Sequence, residues 1–205
     1  MKILLLVCFS VISAFAQPSL YHALSFDGVD QHVDIPHIDE FTSDEFTFEA
    51  WFRVEDFTRT QMIMSKEGVM KLFINTEGKV GFQFKHSGRW TMDFSIFPLH
   101  SNLSVVPGQW HHIAVTLRLN EQSRLKMAVY LDDINPYRAI LHGRSYRDHA
   151  STPLRIGESF RGQIGEVRYW STARSNSQII DHRDTALDGS EVGLLGAWIL
   201  DKQID

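Results

Sequence analysis

Between Phe46 and Val54 the chain reads Phe-Thr-Phe-Glu-Ala-Trp-Phe-Arg-Val, so Phe46, Phe48, Ala50, Phe52 and Val54 share one side of an extended strand. Such an apolar face is what a sheet buries against a second layer. The period of two recurs along the chain. Met70 to Ile74, Val80 to Phe84 and Trp90 to Phe94 are joined by Asn75-Thr76-Glu77-Gly78 and His86-Ser87-Gly88-Arg89, connections whose glycines supply the positive φ of tight hairpins. They predict an antiparallel meander. After Pro107-Gly108, Ile113, Val115, Leu117 and Leu119 alternate with Ala114, Thr116 and Arg118; Leu125, Met127, Val129 and Leu131 repeat the pattern beyond a polar turn from Asn120 to Arg124. The two segments are expected to pair. Short alternating segments punctuated by turns predict an all-β sandwich.

The pattern weakens from Asp132 to Thr152, through Pro136-Tyr137-Arg138 and the polar run from His142 to His149. A loop of that length is expected to be functional or mobile. Leu154-Arg155-Ile156-Gly157 restarts β structure and leads into a strand from Gly162 to Trp170. One short helix is expected, capped by Ser175 or Asn176 and carrying Ile179 and Ile180. The apolar segment from Val192 to Leu200 comes last, and no internal repeat is present.

The first residues change the picture of where the chain works. Lys2 precedes an apolar run from Ile3 to Phe9, a second run from Val11, and Ala14-Phe15-Ala16 before Gln17. Residues 1–16 are expected to be a secretory signal peptide cleaved after Ala16. The run is broken at Ser10 and Ser13 and ends at Pro18, short of the roughly 20 residues that span a bilayer. Residues 17–205 then form a single domain of 189 residues, long enough for a substantial core. The sole cysteine, Cys8, lies in the signal segment, so the secreted domain would be held by its core or by a metal and not by disulfides. Net charge is −5, and −6 without Lys2, with acidic and basic residues interspersed. Neither nucleic acid nor membrane insertion is implied.

Four segments resemble a known family: Ala23-Leu24-Ser25-Phe26-Asp27-Gly28-Val29-Asp30, Phe46 to Phe52 with its Glu-Ala-Trp core, Gly108 to Thr116, and Gly162 to Trp170. In this order and spacing they are similar to the laminin G-like and pentraxin-like domains of the concanavalin A-like lectin and glucanase superfamily. The resemblance spans nearly all of residues 17–205 and implies a jelly-roll sandwich of two antiparallel sheets. It also implies a secreted module that binds carbohydrate, protein or lipid, often with calcium. Three departures stand out. Ile164-Gly165-Glu166-Val167 replaces the Ile-Asp-Glu-Val of many relatives, Asp132-Asp133 replaces an Asp-Gly turn, and the segment from Leu194 to Leu200 follows motifs that it precedes in relatives. That last segment is expected to fill the same place in the sheet from the other end of the chain.

Calcium is the candidate cofactor, and Asp27, Asp30 and Glu166 are its candidate ligands, because a hard cation takes carboxylate and carbonyl oxygens. The competing reading makes Asp27 the cap of its own turn and pairs Glu166 with Arg168 on one strand face. Gly165, which carries no side chain, favours the second. No enzyme is expected. The Glu-x-Asp-x-Glu arrangement that would align two carboxylates for glycoside hydrolysis is absent, Glu49 stands alone on its strand, and no Gly-x-Ser-x-Gly occurs. Asp44-Glu45 and Glu55-Asp56 read as solvated strand ends. His111 and His112, adjacent on a strand, are expected to face opposite ways, one toward the core and one outward.

Sugar binding asks for an aromatic ring to stack on a pyranose and planar polar groups to fix its hydroxyls. Trp90 beside Arg89 and His86, and Tyr137, Arg144, Tyr146 and His149, are the candidates; each aromatic could instead close the core's edge or pack on its own scaffold. Asn102-Leu103-Ser104 is a glycosylation sequon at Asn102. The sequence therefore predicts a secreted, extracellular, non-catalytic recognition module for a glycan or glycosylated surface. The alternative is a structural or adhesive component of an extracellular protein assembly.

Overall fold

The alternation at residues 46–54 becomes the third strand, counted from one edge, of a seven-stranded sheet. The structure is a computed structural model that describes residues 23–86, 89–90, 103–122, 124–132, 136–141 and 151–200. Among these residues the strands are β1 (Leu24–Asp27), β2 (Val33–Ile35), β3 (Phe46–Val54), β4 (Gln61–Lys66), β5 (Met70–Ile74), β6 (Val80–His86), β7 (Arg89–Trp90), β8 (His111–Leu119), β9 (Leu125–Leu131), β10 (Tyr137–Leu141), β11 (Leu154–Ile156), β12 (Arg161–Trp170) and β13 (Leu194–Ile199), with one helix, α1 (Asn176–Ile180). One sheet runs β1-β12-β3-β8-β9-β10, with β13 also on β12; the other runs β2-β11-β4-β5-β6-β7. All pairings are antiparallel. This is the all-β jelly-roll sandwich that the pattern and the resemblance predict.

Short connections fix how the sheets stack. β1 passes to β2, β3 to β4 and β11 to β12 through a few residues each, and each step crosses between sheets. β1 therefore lies over β2, β12 over β11 and β3 over β4. Counting outward, β10 and β7 are the last strands of their sheets on the same lateral edge. The core lies between the sheets. Phe46, Phe48, Ala50, Phe52 and Val54 meet Ile63, Met70, Leu72, Phe82, Ile113, Val115, Leu117, Ile164, Val167 and Tyr169, all buried. A fully buried side chain of this size contributes about 1.5–3 kcal/mol through transfer from water. Around Tyr169 pack Phe41, Phe46 and Phe48, at ring-centroid distances of 4.7, 5.5 and 6.5 Å. The Tyr169 hydroxyl donates to the Phe41 carbonyl at 3.3 Å, and burial pushes its pKa up.

The final segment joins the seven-stranded sheet. Residues Leu194 to Ile199 pair with Trp170 back to Glu166, while Leu24 to Asp27 pair with Ile164 back to Arg161. β13 and β1 thus lie end to end along one edge of β12. Between the two pairings, β12 shifts register against β3 from Ile164 to Val167, setting Gly165 and Glu166 opposite the single residue Trp51 in a one-residue bulge. A glycine is at home there.

Two expectations are corrected. Residues 132–152 are not one aperiodic loop, because Tyr137–Leu141 forms β10 on β9, with Tyr137 opposite Val129 and Ile140 opposite Lys126. An edge strand keeps one free side, so its apolar alternation is faint; Ile140 is exposed here. His111 and His112 do point to opposite faces, yet both are buried. The outer face of the seven-stranded sheet is covered by the segment that follows β12. Among the described residues, no helix is long and apolar enough to cross a membrane.

Candidate functional site

The candidate calcium ligands fall in two places. Asp27 ends β1, where its Oδ1 accepts from the Val29 amide at 2.8 Å and its own amide donates to Gln31 Oε1 at 3.0 Å. Asp30 lies in the same turn, and its carbonyl oxygen is 3.0 Å from His32 Nδ1. Glu166 lies elsewhere. Asp27 stands opposite Arg161, five residues before Glu166 on β12, a separation of about 16 Å along the strand. Both Glu166 oxygens accept from Arg168, at 2.9 and 2.8 Å. Among the described residues, no three His, Cys, Asp or Glu side chains cluster in a way that could hold a metal ion.

The described candidate sugar contacts lie on edge strands. Arg89 and Trp90 form β7, and Tyr137 opens β10, so two segments far apart in sequence reach the lateral edge where both sheets end. Tyr137 is half-buried against the core, and that burial pushes its hydroxyl pKa up. Arg144, Tyr146 and His149 lie outside the described residues, as does Asn102.

Sequence reasoning missed the polar layer on the outer face of the seven-stranded sheet. Glu49 is 0% exposed and Arg174 8%. The Arg174 guanidinium donates to the Glu49 carboxylate, reaches the Gln178 carbonyl at 2.6 Å and lies 4.1 Å from the Trp170 ring centroid. His112 Nε2 lies 3.5 Å from the other Glu49 oxygen. Burial pushes the Glu49 pKa up, but the hydrogen bond and charge of His112 and the charge of Arg174 outweigh it and hold the carboxyl below its ordinary value. Thr47 adds to the joint, its hydroxyl donating to the Thr172 carbonyl at 2.7 Å while the Arg174 amide donates to it at 2.8 Å. Arg168, equally enclosed, donates to the carbonyls of His182 and Thr185 at 3.0 and 2.8 Å.

These contacts fasten residues 171–193 over the sheet. α1 enters the cover through a capping box, in which Ser175 Oγ accepts from the Gln178 amide and Gln178 Oε1 from the Ser175 amide. Ile179 packs on Ala114, Ala128 and Tyr130. Glu49 therefore faces a structural joint and no open cleft. The signal for it was present but diffuse: a carboxylate centred on an apolar strand, and an arginine 125 residues later beside the helix cap.

His111, on the inner face, closes a second joint. Its Nδ1 is 2.7 Å from Asp132 Oδ2, its Nε2 is 3.1 Å from the Val106 amide nitrogen and 3.3 Å from the Val106 carbonyl oxygen, to which it donates when protonated, and Asp132 Oδ1 accepts from the His112 amide at 2.9 Å. Burial pulls the His111 pKa down, but the hydrogen bond and charge of Asp132 outweigh it and leave the pKa above its ordinary value. Asp132 holds φ of 53°, a left-handed conformation that Asp and Asn adopt more readily than other residues with a side chain.

A two-sheet jelly roll with a short helix latched across one sheet, and ligand candidates at its edges, is the build of a lectin-like domain. The model of the concanavalin A-like lectin/glucanases superfamily matches residues 27–180, and the chain belongs to this family. A comparison with curated proteins returns no match. Among solved structures, a protein from Bacteroides ovatus named for an expected carbohydrate-binding role is similar at a TM-score of 0.66 and 22% identity, covering 88% of this chain and 52% of its own. This chain thus spans about half the length of that protein. The CBM40 module of the Ruminococcus gnavus IT-sialidase, bound to α2,3-sialyllactose, is similar at a TM-score of 0.59 and 9% identity, covering 78% of this chain and 95% of the module. A leech intramolecular trans-sialidase gives 0.53 and 11%, covering 83% of this chain and 28% of the enzyme. At these identities the likeness is one of fold.

Proposed function

We propose that this chain is a secreted, non-catalytic module that binds carbohydrate or a glycosylated surface. The observation that carries the reading is that β7, with Arg89 and Trp90, and β10, with Tyr137, are the last strands of their sheets on one lateral edge. An aromatic ring beside planar donors is what a pyranose needs. Family membership and the sialyllactose-bound R. gnavus module support the same class of ligand. The carboxylate at the centre of β3 is spent on Arg174 and His112, which supports a binding role over hydrolysis.

The test is a glycan array with the wild-type chain, Trp90→Ala and Tyr137→Ala. Binding by the wild type that either substitution abolishes is the expected result. An array without signal, with the protein recovered only in a large insoluble or filamentous complex, would overturn it in favour of a structural role in an extracellular assembly.

A further inference from the structure

Arg118 on β8 stands directly opposite Lys126 on β9, and Lys126 opposite Ile140 on β10. Paired residues in adjacent strands share a face, so Arg118 and Lys126 set two positive charges side by side. Arg138, opposite Ala128, lies diagonal to Lys126 on that face. Exposed Arg124 begins the approach to β9. Like charges directly opposite destabilise a sheet, and an ordinary surface relieves them with a neighbouring carboxylate. Here none does so. Arg155, Arg161, Arg168, Arg174 and Arg183 each pair with an acid. Among the described residues, the side chains of Arg118, Arg124, Lys126 and Arg138 have no such partner, although the chain is acidic overall.

The cover over the sheet's outer face stops short of them. Ile179 packs with Ala128, whereas in the next row Arg118 and Ile140 are exposed and Lys126 is half-buried; that row borders a concavity of about 250 Å³ lined by Arg118, Leu119, Asn120, Glu121, Gln122 and Lys126. That volume is below the roughly 300–1,000 Å³ of clefts that enclose a drug-sized ligand, and suits one residue of a longer chain. Its chemistry is mixed. Arg118 and Lys126 bring charge, Asn120 and Gln122 bring planar amides, and Ile140, 55% exposed, offers apolar surface in the same row. Glu121 is the one carboxylate on the lining and is not ion-paired.

We propose that the outer face of β8, β9 and β10 is a subsite for an anionic glycan, with Arg118 and Lys126 holding a carboxylate or sulfate and Arg138 the next charge along the chain. The inference rests on the carbohydrate-binding reading and adds the charge of the ligand and a second surface, apart from Trp90 and Tyr137.

Affinity electrophoresis of the full chain in gels containing polygalacturonate, dextran sulfate or neutral dextran tests it. Either polyanion retards the protein, and neutral dextran does not. Polygalacturonate alone identifies the group as carboxylate, dextran sulfate alone as sulfate. Arg118→Gln weakens retardation about fivefold, as does Lys126→Gln. Arg53→Gln removes the same charge from an unpartnered arginine about 26 Å away along the strands, and leaves retardation within about twofold. The melting midpoint of Arg118→Gln without polyanion does not fall, because the substitution relieves repulsion, so loss of binding is not loss of folding. Equal losses in Arg118→Gln and Arg53→Gln overturn the subsite as unspecific charge attraction. Retardation by neutral dextran that Arg118→Gln leaves intact also overturns it, while the glycan reading stands. Binding to vesicles of anionic phospholipid, with no retardation in any gel, overturns it in favour of a membrane surface. A blank result in every gel overturns it as well, and the array then decides separately whether the glycan reading falls.

Discussion

Glu49 and Arg174, 125 positions apart, meet as a buried ion pair between the outer face of β3 and the segment that covers it. The pair matters because neither charge has water to fall back on. Arg174 is held also by the Gln178 carbonyl and the Trp170 ring, and Glu49 by His112, so removing one partner strands the rest.

Glu49→Gln is expected to cost about 3–5 kcal/mol of unfolding free energy, the usual penalty for leaving a buried charge unpaired. Urea denaturation measures it. Combining Glu49→Leu with Arg174→Met should cost far less than the sum of the single changes. An additive double variant, or a loss below about 1 kcal/mol for Glu49→Gln, would show that the pair does not hold the cover.

The His111–Asp132 joint predicts a stability that depends on pH. The His111 pKa is raised, so its contribution is complete below the ordinary value of 6.5 and fades as pH rises through the folded value. The Asp132 pKa is lowered, so its contribution is present above the ordinary value of 3.8 and fades as pH falls through the folded value. Between those limits the pair stabilises most. Asp132→Asn, which tolerates the positive φ, should flatten this part of the stability profile; a profile that runs parallel to the wild type would refute the assignment.

Ser175→Ala should cost about 1 kcal/mol by removing the cap of α1. Because α1 carries Ile179 onto the sheet, amide exchange in residues 176–180 should accelerate more than in β5, and equal acceleration throughout would argue against a locally anchored cover.

Glu166→Gln separates the two readings of that residue. The structure gives both of its oxygens to Arg168, so the loss of stability is expected to be the same in calcium as in chelator. A loss that appears only in calcium would restore Glu166 as a ligand, since an ion bound to the folded state alone must raise stability.

Gly162→Ala is expected to destabilise by well over about 1 kcal/mol. Gly162 sits at φ of 144°, and a Cβ there would lie 2.1 Å from the Arg53 carbonyl oxygen. A stable Gly162→Ala protein with an unchanged melting midpoint would mean that β12 does not approach β3 so closely.

The sequence by itself determined the strands with strong alternation, β3, β5, β6, β8, β9 and β12, because a period of two with one apolar face has a single use in a folded chain. It also narrowed the helix cap to Ser175 or Asn176 and offered the Asp27 turn as one of two readings, where the partners lie within a few residues. Tertiary structure decided whatever depends on which segments meet. The brief strand β2, the strand β4 and the edge strand β10 owe their form to neighbours, and Glu49, Arg174 and His112 became a buried cluster only when residues 171–193 folded across the sheet. Arg118, Lys126 and Arg138 look interspersed along the chain, yet hairpin register puts them side by side. Local patterns report one strand's own faces. Charge pairing across strands is set by register and by what covers the sheet, and both are properties of the whole fold.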